Sequence, residues 1–377
     1  MIKIGIINKG PILNWGKNFG YWFILKYFQD ELKEAGYEIT FYDGINKKFY
    51  NSDFIIIDSR LITDTYINKI RKKFSFNLNY DYLENIFKIS KKNPNIIWLD
   101  LTDSSGTTSF EVLPYVKKYV KKQFYKDKDF YRKSFFRNRY YSDFYQKKFS
   151  LEQDYKFKVH KLLEEYDNKL VLGWNIGVGN FFDIVNSNYI NKYKTIFQSL
   201  TSNNFKELYK NCLGFHNKKR KIRDVFCSFN LRKNSMKKSI HFQREKVYSI
   251  LKDHYKIRND RLNHKQYLTR LRESKVSVGA FGWGEICYRE FEAIKMGAAV
   301  VFPKVDYLET WPNVYQDNFS YLSYELDFSN LIERIDSILN DQDLQESLIV
   351  NSQRIYRSVY SDLGLNYVLN FFKKITS

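Results

Sequence analysis

The stretch Val276–Pro303, VSVGAFGWGEICYREFEAIKMGAAVVFP, constrains this chain more than any other. An apolar run at Val276–Val278 enters a turn containing Gly279, Gly282 and Gly284. Helical periodicity over Glu285–Met296 follows, Gly297 stops it, and a second apolar run covers Ala299–Phe302. Strand, tight turn, helix and strand in so few residues make a βαβ unit, and such units build parallel sheets covered by helices. A helix that begins directly after glycines also presents free backbone N–H groups and a partial positive charge where a phosphate can approach closely. The fold class follows as α/β, with a turn at which a phosphate could sit.

The same alternation recurs along the chain. Ile2–Ile7 has the continuous apolar character of a strand buried on both faces, and a glycine-containing loop (Gly10, Gly16, Gly20) and a helix over Tyr21–Ala35 follow it. Strands are predicted at Tyr37–Tyr42, Asp53–Asp58, Ile96–Leu101 and Lys169–Gly173, with a helix at Tyr82–Lys91. Glu111–Lys148 reads as partly helical and Leu151–Tyr166 as a helix. A second series begins with a strand at Asp224–Phe229 and helices at His241–Lys252 and Tyr267–Glu273, and leads into the opening stretch. A short strand near Phe319 and Tyr321 and helices at Leu331–Leu339 and Leu344–Ile375 follow, the last broken near Gly364. Two Rossmann-like domains in tandem account for the pattern, assigned to residues 1–195 and 196–345, with 346–377 crossing back to the first. The loop after the first strand lacks G-x-G-x-x-G, so no dinucleotide fingerprint is present. Ligands of open α/β sheets bind outside the carboxyl ends of strands, which makes Asp100 and Asp103 in LDLTDSSGT candidates for a site.

Charge narrows the partners. Lys and Arg exceed Asp and Glu by 62 to 42, and the +20 balance favours anionic ligands. Tyr115–Lys148 holds twelve basic and three acidic residues, and Asn217–Lys246 holds eleven and two. Three cysteines without C-x-x-C spacing and five scattered histidines give no metal-ligand pattern, so no metal or other cofactor is expected. No apolar run is long enough to span a bilayer and no signal-peptide pattern precedes Ile2, so a cytoplasmic protein is expected.

From Gly282 to Ala293 the chain reads G-x-G-x-x-C-x-R-x-x-E-A, followed by a turn glycine and an apolar strand ending at Pro303. This resembles the C-terminal domain of GT-B-fold glycosyltransferases, in particular the exostosin-like and group 1 families. The resemblance is specific over about Val276–Trp311 and holds elsewhere at the level of topology. It implies two Rossmann-like domains facing a cleft, with the nucleotide-sugar donor on the C-terminal one and the acceptor on the N-terminal one. Glu292 matches the glutamate before alanine, a carboxylate suited to ribose hydroxyls. Gly282, Gly284 and the Glu285 N–H would approach the diphosphate, and Arg289 would pair with phosphate or hold Glu292. Related enzymes place basic residues after the first C-terminal strand, where Arg232, Lys233 and Lys238 stand, with Arg244 on the next helix. A general base for an inverting reaction would come from across the cleft, Asp103 before Asp100, with Asp43 and Asp58 at other strand ends. Retaining group 1 enzymes carry a glutamate eight positions before this one. Gly284 stands there, so the stereochemical outcome is unassigned.

The resemblance implies sugar transfer to a glycan or lipid-linked acceptor, in surface polysaccharide or lipopolysaccharide synthesis. A basic, aromatic segment such as Tyr115–Lys148 would suit an anionic membrane surface, placing the protein on its inner face. A competing reading takes the +20 charge as a nucleic-acid footprint, although no nucleic-acid motif is present. A third, a non-catalytic scaffold, fits poorly with the intact motif.

Overall fold

The computed structural model describes residues 1–7, 19–42, 47–59, 82–135, 138–151, 160–179, 215, 221–231, 238–258, 260 and 262–377. Its first sheet contains β1 (Ile2–Ile7), β2 (Tyr37–Tyr42), β3 (Phe54–Asp58), β4 (Ile96–Asp100), β5 (Lys118–Lys121) and β7 (Leu170–Leu172), in the order β2-β1-β3-β4-β5-β7. Every pairing in it is parallel. Helices on a parallel sheet cover both faces, so its central strands need apolar side chains on both sides. FIIID and IIWLD meet that need, and all ten residues are buried, the final aspartates included.

A second parallel sheet contains β8 (Arg223–Phe226), β9 (Ser274–Val278), β10 (Ala299–Pro303) and β12 (Leu322–Tyr324), in the order β12-β10-β9-β8. The α/β class and the two Rossmann-like units expected of a GT-B fold are both present. Between them, β6 (Gln123–Tyr125) and β11 (Leu308–Thr310) pair antiparallel, one strand from each half of the sequence. The helices Gln342–Ser358 and Asp362–Thr376 run from the second unit back to the first. Tyr356 donates a hydrogen bond to the Gly177 carbonyl at 2.5 Å, Tyr367 donates to Gly173 O at 2.8 Å, and the Phe372 ring packs 5.1 Å from Tyr37 of β2.

Several local expectations are corrected. The helix over Tyr21–Ala35 is broken into Phe19–Tyr27 and Gln29–Glu34. The basic stretch Tyr115–Lys148 forms β5, β6, a 3-10 turn at Lys128–Tyr131 and a helix at Tyr140–Phe149, and it buries Lys121, Lys122 and Arg139. Part of its charge therefore serves the interior. Of the helix expected over Leu151–Tyr166, the described residues 160–163 are irregular and Glu164–Lys169 is a 3-10 turn. The strand expected near Phe319 and Tyr321 lies at Leu322–Tyr324, because Phe319 sits in the preceding turn. The final break falls at residues 359–361, ahead of Gly364, where Ser361 caps the last helix.

Candidate functional site

The helix after the glycine turn begins at Tyr288, three residues later than the periodicity suggests. Cys287 is its N-cap, with extended backbone, and Glu290 closes a capping box by accepting the Cys287 N–H at 3.1 Å. Gly297 ends it in the left-handed conformation (φ 70°), which glycine adopts without strain.

Two arginines from different helices meet at the turn. Arg289 donates to the Ala280 carbonyl at 2.7 Å, and Arg244, from the helix Lys238–Tyr255, donates to the next carbonyl, Phe281 O, at 3.0 Å. Gln243 fixes the same residue by accepting the Phe281 N–H at 3.1 Å. Burial opposes the charge of Arg244, and the neighbouring Arg289 adds to this, so its pKa falls to about 10, still protonated at neutral pH. Each guanidinium has five N–H donors; Arg289 uses them on the Ala280 carbonyl and the Cys287 side chain, and Arg244 on the Phe281 carbonyl. Two fixed cations beside a helix N-terminus have the chemistry that suits an anion.

Beside Arg289 lies a small pocket at the carboxyl ends of β8 and β9, lined among others by Ser228, Tyr267, Ser277, Gly279, Arg289 and Glu290. This is where open α/β sheets bind ligands. Gly279 is required there, since a Cβ would stand 2.4 Å from the Phe302 ring and 3.1 Å from Glu290 Oε1. The largely buried Glu292 carboxylate reaches the helix His264–Arg272, lying 3.9 Å from His264 Nε2 and hydrogen-bonding the pocket residue Tyr267.

The turn itself is joined to the first sheet. Glu285 is fully buried and accepts hydrogen bonds from Ser104 Oγ at 3.1 Å, Ser105 N at 3.0 Å, Ser105 Oγ at 3.3 Å and Gln123 Nε2 at 3.1 Å. At Gly284 a Cβ would fall 1.8 Å from the Asp103 carbonyl oxygen, and Tyr141 donates to the carbonyls of Gly282 and Trp283 at 3.0 and 3.2 Å. Gly284 and Glu285 are thus committed to the junction between the sheets. The expectation that Gly284 cradles a diphosphate is corrected; the Glu285 N–H, the group expected there, is separate from these carboxylate contacts.

Asp100 is corrected as well. Its carboxylate is fully buried and accepts from Lys121 Nζ at 2.8 Å, Tyr119 OH at 2.5 Å and Thr102 N at 2.8 Å. Burial works against the charge, but Lys121 and these hydrogen bonds outweigh it and hold Asp100 below the usual carboxylate range. No acceptor hydroxyl can reach it. Asp103 is the opposite case: its side chain is 66% exposed, its Oδ1 lies 3.3 Å from the buried Lys122 Nζ, and its backbone touches Gly284. Asp58 is fully buried at the end of β3. Lys238 is the first residue of its helix, while Arg232, Lys233 and Asp43 lie outside the described residues.

The solved structures similar to this chain include glycosyltransferases. A DNA-modifying β-glucosyltransferase, solved in the presence and absence of the substrate uridine diphosphoglucose, is 13% identical over 100% of both chains (TM-score 0.42). A glycosyltransferase from Rickettsia africae ESF-5 is 14% identical over 99% of this chain and 98% of its own (TM-score 0.43). Sucrose-phosphate synthase from Thermosynechococcus elongatus is 9% identical over 99% and 100% (TM-score 0.42). No family model matches the chain, and no curated protein matches it.

The structure brings Gly282, Arg289 and Arg244 together, with Asp103 across the junction. Sequence reasoning missed Tyr267 and Glu290 as pocket residues. The spacing Cys287-x-x-Glu290 is a capping-box signal, but a cysteine in the cap position hides it. Among the described residues no group of His, Cys, Asp and Glu is arranged to hold a metal ion.

Proposed function

We propose that this chain transfers a sugar from a nucleotide-activated donor to a glycan or lipid-linked acceptor, using no metal, in surface polysaccharide or lipopolysaccharide synthesis. The observation that carries this reading is the convergence of Arg244 and Arg289 on the turn before the Tyr288–Met296 helix. In sugar transfer the bond from the anomeric carbon to the diphosphate breaks, and negative charge builds on the departing nucleotide. Preplaced cations and helix N–H groups stabilise that charge more than they stabilise the bound donor, which lowers the barrier. Asp103, exposed and across the junction, would take the proton of the acceptor hydroxyl if the reaction inverts. The basic surface and the lack of any helix among the described residues able to cross a membrane fit work at the inner face of a membrane, on a lipid-linked acceptor.

Thermal denaturation with UDP, GDP, CMP or dTDP tests the donor seat: at least one should raise the melting temperature, and Arg244→Ala and Arg289→Ala should abolish the rise. At a hundred times Kd the stabilisation is about 2.7 kcal/mol. Once a donor is found, Arg289→Ala should lower transfer by about 100-fold or more. Stabilisation by oligonucleotides and by none of the four nucleotides would refute the reading.

A further inference from the structure

Glu290 has two oxygens with different fates. Oε2 accepts the Cys287 N–H, whereas Oε1 is buried, in a residue 2% exposed, and has no hydrogen-bond partner. Glu290 lines the pocket at the ends of β8 and β9, and its Oε1 packs against Gly279, where a Cβ would stand 3.1 Å from it. A buried acceptor without a donor is costly, and such groups in native proteins call for a partner. The pocket that Glu290 lines is the space from which such a partner can come.

We propose that Glu290 Oε1 is a ligand contact, accepting a hydrogen bond from a hydroxyl or N–H group of the bound nucleotide sugar. This rests on the donor reading given above and adds to it a residue that neither the motif nor the diphosphate requires. The contact selects for a ligand that presents a hydrogen-bond donor at this point. Glu290 is therefore a specificity residue, distinct from the arginines that hold negative charge.

The surroundings of Glu290 tie this contact to a proton. Arg289 and Glu292 share its helix, and Cys287 caps it. Arg244 approaches from the Lys238–Tyr255 helix and Tyr267 from His264–Arg272. Tyr315 and Tyr324 approach from the segment beyond β11 and from β12. Burial dominates, Arg289 opposes it, and the carboxyl is pushed up to about 7. A ligand group that donates to Oε1 favours the ionised form, so binding near neutral pH must expel a proton from the half of the molecules that carry one.

Calorimetric titration at pH 7 with UDP-glucose, UDP-N-acetylglucosamine and GDP-mannose, in two buffers of different ionisation enthalpy, tests the proposal. The diphosphate of a nucleotide sugar is esterified at both ends and does not itself titrate near pH 7. Wild type should release about half a proton per ligand bound, and its affinity should rise about tenfold between pH 6 and pH 8. In Glu290→Gln, which keeps an oxygen for the Cys287 N–H, both effects should vanish and binding at pH 8 should weaken. His264, whose Nε2 lies 3.9 Å from Glu292, serves as the control. His264→Gln should leave the proton release in place, which keeps the test readable should Glu290→Gln fold poorly. Binding without proton release, release that persists in Glu290→Gln, or release that disappears in His264→Gln overturns the assignment of Glu290 and leaves the donor seat standing. Absence of binding by all three sugars at every pH overturns both.

Discussion

Glu285 and Asp100 are carboxylates at strand ends or turns that look catalytic by position and prove to be structural by their partners. Replacing Glu285 with Ala strands the Ser105 N–H and the Gln123 amide in the interior, and one such unpaired group costs about 1–3 kcal/mol. Glu285→Ala should therefore lower unfolding stability by about 3 kcal/mol, read from urea denaturation. The two buried acids with shifted titration act in opposite pH ranges. Below pH 4.5 Glu290 is protonated in the folded and unfolded chain alike. As the pH rises the unfolded chain ionises first, so stability is lost from about pH 4.5 up to about pH 7, by up to about 3 kcal/mol. Glu290→Gln should flatten that decline. Asp100, held low by Lys121 against the effect of burial, contributes stability at neutral pH that is lost as the pH falls below the ordinary carboxylate value of 3.8. Asp100→Asn leaves Lys121 as an uncompensated buried cation and should cost about 3–5 kcal/mol at pH 7.

At the scale of elements, the Tyr288–Met296 helix depends on its two ends. Gly297→Ala forces a side chain into the left-handed conformation and should cost about 1 kcal/mol in thermal or chemical denaturation, with no loss of nucleotide binding. This helix also shows how far the sequence could be read. Its existence, its stop at Gly297 and its flanking strands follow from periodicity and glycine placement, as do the apolar strands β1, β3, β4 and β10. Its start does not, because Glu285 and Ile286 continue a helical pattern while tertiary contacts with Ser104, Ser105 and Gln123 pull Glu285 out of it. β5 and β6 were hidden for a related reason: lysines normally mark a solvated surface, and Lys121 occupies the interior only because Asp100, Thr102 and the Thr107 carbonyl accept its three protons. Arg289 and Arg244 could be named from the sequence. That they bind adjacent carbonyls of one turn is a long-range fact that no local pattern carries.

For the whole molecule, the two sheets are joined by the buried Glu285 cluster, by the β6–β11 pair and by the returning C-terminal helices. Val368, Phe372 and Ile375 on the last helix are fully buried, and Phe372 lies against Tyr37 of the first sheet. Phe372→Ala should destabilise the protein by about 3–5 kcal/mol. It should also broaden the unfolding transition, since the lost packing lies against the N-terminal sheet. The returning helix has a further consequence for the growing chain. Tyr37 of β2 and the segment from β7 to Trp174 are synthesised before residues 362–376, and the side they present to that helix stays bare until it leaves the ribosome. A nascent chain stopped at residue 358 should therefore recruit chaperones and be cut by proteases on that side, and release of the longer chain should end that exposure.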